Sequence, residues 1–131
     1  MAIKLNNKVR SSIVDNLISV IHYGGYVQIY TGSAPSTADA APTGNLLVEI
    51  DTTNIWGNGA SNGTSAITLQ QTGESGTGGI AGYARWVYTA GELCVQGNVG
   101  TAATCDFQIN KGTFGVETIT LLAATIIQPA G

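Results

Sequence analysis

The chain has 131 residues, which fits one domain with one core, and its 44% hydrophobic content is ample for burial. Charged residues make up only 10%, well under the roughly 25% of an ordinary soluble domain. The surface must therefore be mostly Ser, Thr, Asn, Gln and Gly, which are cheaper to desolvate against a partner than Lys or Glu, favouring a subunit covered in an assembly over an ordinary secreted β protein. The net charge of −3 hides an asymmetry: Lys4, Lys8 and Arg10 open the chain, and beyond them only Arg85 and Lys111 offset all eight acids, an acidic body that is a poor binder of nucleic acid.

From Asn6 to Tyr23 the pattern predicts a helix, since Val9, Ile13, Leu17, Val20 and Ile21 recur at steps of three and four. Asn6 or Asn7 can cap its start by accepting from free backbone amides, and Gly24-Gly25 can end it with a left-handed turn. Lys8 and Arg10 fall in the first turn, where the helix dipole disfavours cations, so their placement points outward, to an acidic partner surface. The polar residues Asn6, Asn7, Lys8 and Arg10 interrupt the apolar run that a secretion signal needs, and no stretch approaches the ~18 apolar residues of a membrane span.

After the glycine pair the period becomes alternating, with Val27 and Ile29 on one side of a strand and Tyr26, Gln28 and Tyr30 on the other. Thr31 to Gly44, with Gly32, Pro35 and Pro42, reads as a long surface loop, and Leu46 to Asp51 as the next strand. Asn54 to Ser65 is irregular and carries Trp56, whose indole calls for burial against the core or a neighbouring subunit. Ala66 to Gln71 is a short strand, and Glu74 to Gly79 a glycine-rich connection. Ile80 to Val99 has the signature of a hairpin turning at Thr89 to Glu92, in which Gly97 and Gly100 mark a bulge or a close backbone approach. Cys105 to Ile109 and Thr118 to Ile127 complete about seven strands, with a turn at Asn110-Lys111-Gly112 between them. The expected fold is mainly β: an antiparallel β-sandwich or jelly-roll-like barrel with one N-terminal α-helix, residues 1–25 forming an amphipathic arm and 26–131 the β-domain.

Candidate chemistry is sparse. His22 is the only imidazole and sits near the helix end, where a cation is favoured by the dipole. Glu49 and Asp51 share a strand face, where two solvated acids are expected rather than a glycosidase pair. Cys94 and Cys105 suit free thiols, or a bridge if their strands are neighbours, and the residues supply no tetrahedral metal site. The glycine string from Thr72 to Gly79 lacks the Gly-Lys-Ser/Thr ending of a phosphate loop and precedes a strand. Tyr23, Tyr26 and Tyr30 suit either subunit packing or a sugar-binding platform. No enzyme activity and no cofactor is expected.

Ile29-Tyr30-Thr31-Gly32-Ser33-Ala34-Pro35, continuing through Ala38-Asp39-Ala40-Ala41-Pro42-Thr43-Gly44-Asn45-Leu46-Leu47, is similar to a stretch in small structural proteins of tailed bacteriophages. Ala81-Gly82-Tyr83-Ala84-Arg85-Trp86 and Gln96-Gly97-Asn98-Val99-Gly100-Thr101 resemble the same group's central hairpin, and the resemblance spans residues 26–128. It implies a virion β-domain made in the host cytoplasm, one that decorates or cements a capsid or sits in the neck or tail. The partners so implied are the major capsid protein or other virion proteins and further copies of the chain, with a carbohydrate-binding module on the virion surface as a different class of role. Lys4, Lys8, Arg10, Tyr23, Tyr26 and Trp56 are the expected assembly contacts.

Overall fold

The computed structural model describes residues 3–21, 25–52, 63–88 and 93–127. One helix, α1 (Asn7–Ile21), precedes strands β1 (Tyr26–Tyr30), β2 (Leu46–Asp51), β3 (Thr64–Ser75), β4 (Gly79–Ile80), β5 (Tyr83–Tyr88), β6 (Leu93–Gly97), β7 (Val99–Gly100), β8 (Phe107–Ile109), β9 (Thr113–Phe114) and β10 (Glu117–Ile127). The protein is thus mainly β, with antiparallel sheets and one N-terminal helix. The first sheet has the order β2-β1-β5-β6, the second β3-β10-β8-β7, and β4 pairs with β9 in a small ribbon. One pairing departs from the antiparallel expectation: β7 runs parallel to β8. The chain leaves β6 at Asn98 and enters the second sheet at once, so that Val99 lies beside Phe107. There Asn98 and Asp106 bind each other's backbone amides through their side chains, and the Phe107 amide donates to the Asn98 carbonyl.

Alternation places the core. Val27, Ile29, Val48, Ile50, Ala84 and Trp86 point inward from the first sheet, Phe107, Ile109, Ile119, Leu121, Ala124 and Ile126 from the second, and Val14, Ile18 and Ile21 from α1, all in one buried cluster. Two irregularities re-phase this pattern. Between Leu121 and Ala123 the β10 register shifts, so inward positions change from Ile119 and Leu121 to Ala124 and Ile126. Between Ile29 and Tyr30 a second shift leaves Leu47 as an extra residue in β2, and both Leu47 and Val48 are buried.

Two sequence expectations are corrected here, and the alternatives left open for the cysteines are resolved. The helix buries Val14, Ile18 and Ile21, with Leu17 half-buried, whereas Val9 and Ile13 of the expected stripe are exposed. The strand expected at Ala66 to Gln71 extends from Thr64 to Ser75, absorbing residues read as flexible connection. Its Gly73 answers a close approach: a Cβ there would come within 2.6 Å of the Glu49 carbonyl oxygen of β2. Cys94 and Cys105 are free thiols, Cys94 on β6 and Cys105 on the turn before β8. The His22, Gly24 and Thr89 to Glu92 expectations lie outside the described residues.

Candidate assembly surface

The start of α1 is built by Asn6, whose Oδ1 accepts from the Val9 amide at 3.0 Å while its carbonyl accepts from the Arg10 amide. This is the capping geometry that satisfies a helix's free N–H groups, and it fixes how the basic segment leaves the body. Lys4 and Lys8 are exposed; Arg10 is half-buried and its Nη1 donates to Asn7 Oδ1 at 2.8 Å. Beside Lys8 the helix turns Val9 (44% exposed) and Ile13 (40%) outward, and with Ser12 and Asn16 they line a shallow depression. Ile3, just before the helix, is 83% exposed. The helix therefore carries two apolar strips, one in the core and one facing out.

The outer face of the first sheet is set by the opposite residues of the same strands. Glu49, Gln28, Arg85 and Gln96 form one row across β2, β1, β5 and β6. Gln28 Nε2 donates to Glu49 Oε2 at 2.7 Å, Tyr30 Oη donates to Gln28 Oε1 at 2.9 Å, and Arg85 Nε donates to Gln96 Oε1 at 2.9 Å. Tyr30 stacks on Tyr83 with ring centroids 5.2 Å apart. The 31–45 segment folds over this end of the face. The Thr43 amide donates to Tyr83 Oη, which donates to the Thr43 carbonyl, while Gln96 donates to the Pro35 carbonyl and Arg85 more weakly, at 3.4 Å, to that of Thr37.

The cover makes this a structural network. Arg85 and Tyr83 are buried beneath it. Burial, and then the neighbouring Tyr83, push the Tyr30 phenol above its usual range. Burial likewise pushes the Cys94 thiol up, against the opposing pull of Arg85. Tyr30 is accordingly a packing residue, and the tyrosine platform of the sequence reading does not include it.

The other end of the face is formed, among the described residues, by Tyr26 and Asp51. Tyr26, 39% exposed, lies beside Asp51 across the β1–β2 ladder, with the exposed carboxylate of Glu49 and the exposed Leu46 further along β2. Glu49 and Asp51 are on one face, as their spacing requires. Tyr26 is thus placed on the outer face of the first sheet, Lys8 and Arg10 in the first turn of α1 and Lys4 in the segment before it; Tyr23 and Trp56 lie outside the described residues. Sequence reasoning missed the Glu49-Gln28-Arg85-Gln96 row. Its only signal was polar residues at alternate positions of β1 and β5, and pairing them across strands required the register.

A cleft of about 150 Å³ lies between the first and second sheets' edges, lined by Val95, Gln96, Asp106, Phe107, Thr125 and Ile126. Among the described residues no cluster of three or more His, Cys, Asp or Glu is arranged to hold a metal ion, and no helix is long and apolar enough to cross a membrane. The chain matches no protein-family model, no curated protein and no solved structure.

Proposed function

We propose that this protein is a non-enzymatic structural subunit of a tailed-bacteriophage virion, a decoration or cement protein that stabilises the head through subunit contacts. The observation that carries the reading is the second apolar strip of α1, Val9 and Ile13, exposed beside the cation Lys8 and preceded in the chain by the exposed Ile3 and Lys4. A body with 10% charged residues supports it, because few strongly hydrated groups need to be stripped when its faces are covered. The resemblance of the 29–35, 38–47, 81–86 and 96–101 segments to phage structural proteins supplies the virion context. A β-sandwich suits the role and is the finer fold we propose: both four-stranded sheets feed one core, β2 closes on β3 at Gly73, and β6 runs directly into β7. Such a subunit is made in the host cytoplasm and meets the major capsid protein on the particle. Cementing then arises because many weak, symmetry-repeated contacts add up.

Quantitative mass spectrometry of purified particles tests this. A copy number comparable to the major capsid protein is expected, together with fragile full heads when the protein is lost. A few copies per particle would move it to the neck or tail, and its absence from particles would refute the virion role.

A further inference from the structure

We propose that the outward strip of α1 docks on the acidic outer face of β1 and β2 of a second copy of this chain, joining copies head to tail. This rests on the assembly reading and names the partner of its α1 surface. Charge and apolar area are complementary between two surfaces of the one chain. The first ten residues hold three cations and no acid, while the remainder carries a net −6. The donor surface is Val9 and Ile13 beside Lys8 on the helix, with the exposed Ile3 and Lys4 in the segment just before it. The acceptor is the outer face along β2, the edge strand of the first sheet, where the carboxylates of Asp51 and Glu49 lie between Tyr26, beside Asp51, and Leu46, beside Tyr30, both large and about 40% exposed. Each patch thus offers apolar area to bury and charge of one sign at its margin, the pattern that steers and orients docking.

Pairing α1 with α1 in parallel would set Lys4, Lys8 and Arg10 against their own copies, a like-charge cost that the β1–β2 face avoids. Joined head to tail, each copy uses its donor on one neighbour and its acceptor on another, and the contact is heterologous. Addition of one copy leaves a free patch at each end, and growth stops only if the rotation closes a ring.

Sedimentation velocity of the full-length chain over a dilution series reads this directly. Mass is expected to rise with concentration beyond that of a dimer and to fall as salt is added. Lys8→Glu and Glu49→Lys should each weaken association about tenfold, and the double reversal should recover most of it. Lys8→Glu puts an anion in the first helical turn, where the dipole favours it, so a loss of association there does not stem from a weakened helix. Ile13→Ser and Leu46→Ser, both at exposed positions, should also weaken it without changing the melting curve. A double reversal no better than the single variants, or association indifferent to Ile13 and Leu46, overturns the pairing. A chain that stays monomeric at every concentration, yet is present in particles at the capsid protein's copy number, overturns it too and leaves the virion role standing.

Discussion

Gly73 and Tyr30 show how single residues carry constraints that composition conceals. At Gly73 the β2 backbone and the side chains of Val48 and Ile50 all lie within 3.0 Å of where a Cβ would stand. Gly73→Ala must push two strands apart, and a cost of about 1–3 kcal/mol is expected from urea unfolding, the range of overpacked cores. Gly76, with open space around its Cβ position, is the contrasting site where alanine should be tolerated. Tyr30 makes a pH prediction. Its folded pKa is raised above the ordinary 10.0, so the folded state holds the proton more tightly than the unfolded chain. The resulting stability is fully present below pH 10.0 and is lost as pH rises through the folded value. Unfolding midpoints should therefore fall above pH 10, with a shallower fall in Tyr30→Phe; equal slopes for the two proteins would refute the assignment.

Elements depend on caps and register as much as on propensity. Asn6 holds the first turn of α1, and Asn6→Ala should cost about 1 kcal/mol in thermal or urea unfolding. In β10 the register shift between Leu121 and Ala123 switches the inward positions from odd to even. Deleting Leu122 would bring Ile119, Leu121, Ala124 and Ile126 into one strict alternation, whereas deleting Thr120 would put the Ile119 half of the strand out of phase and turn its polar face to the core. Loss of a cooperative unfolding transition is expected for the Thr120 deletion, against a milder effect for Leu122→Ala, which keeps the chain length. The helix was legible in its 3.6-residue period and its cap. Its inward face was not, because Val9, Ile13, Val14, Leu17, Ile18 and Ile21 cover more than one side, and only packing against the sheets selects the buried one.

At the scale of the whole molecule, α1 belongs both to the core and to the surface, through opposite strips. Removing residues 1–10 takes away Lys4, Lys8, Arg10, the Asn6 cap and Val9 while leaving Val14, Ile18 and Ile21. The shortened chain is expected to keep its far-UV circular dichroism with a modestly lower melting point, and to lose binding to particles. Unchanged particle binding would show that the α1 start is not a contact. The candidate surface was half legible: a cationic start and exposed-strand acids could be read from the chain, but whether Tyr26 or Tyr30 faces solvent depends on where the 31–45 segment lies across the sheet.

By itself the sequence determined the mainly β character, the single N-terminal helix, the β5–β6 hairpin and the split between basic start and acidic body. Each of these follows from local periodicity, turn residues or simple counting. Tertiary structure decided the division into sheets, the parallel entry of β7, the polar row whose Arg85 is buried under the 31–45 segment and the outward turn of Val9 and Ile13. The physical reason is common to all four: they depend on which distant segments share a desolvated space, and local pattern leaves several such pairings open.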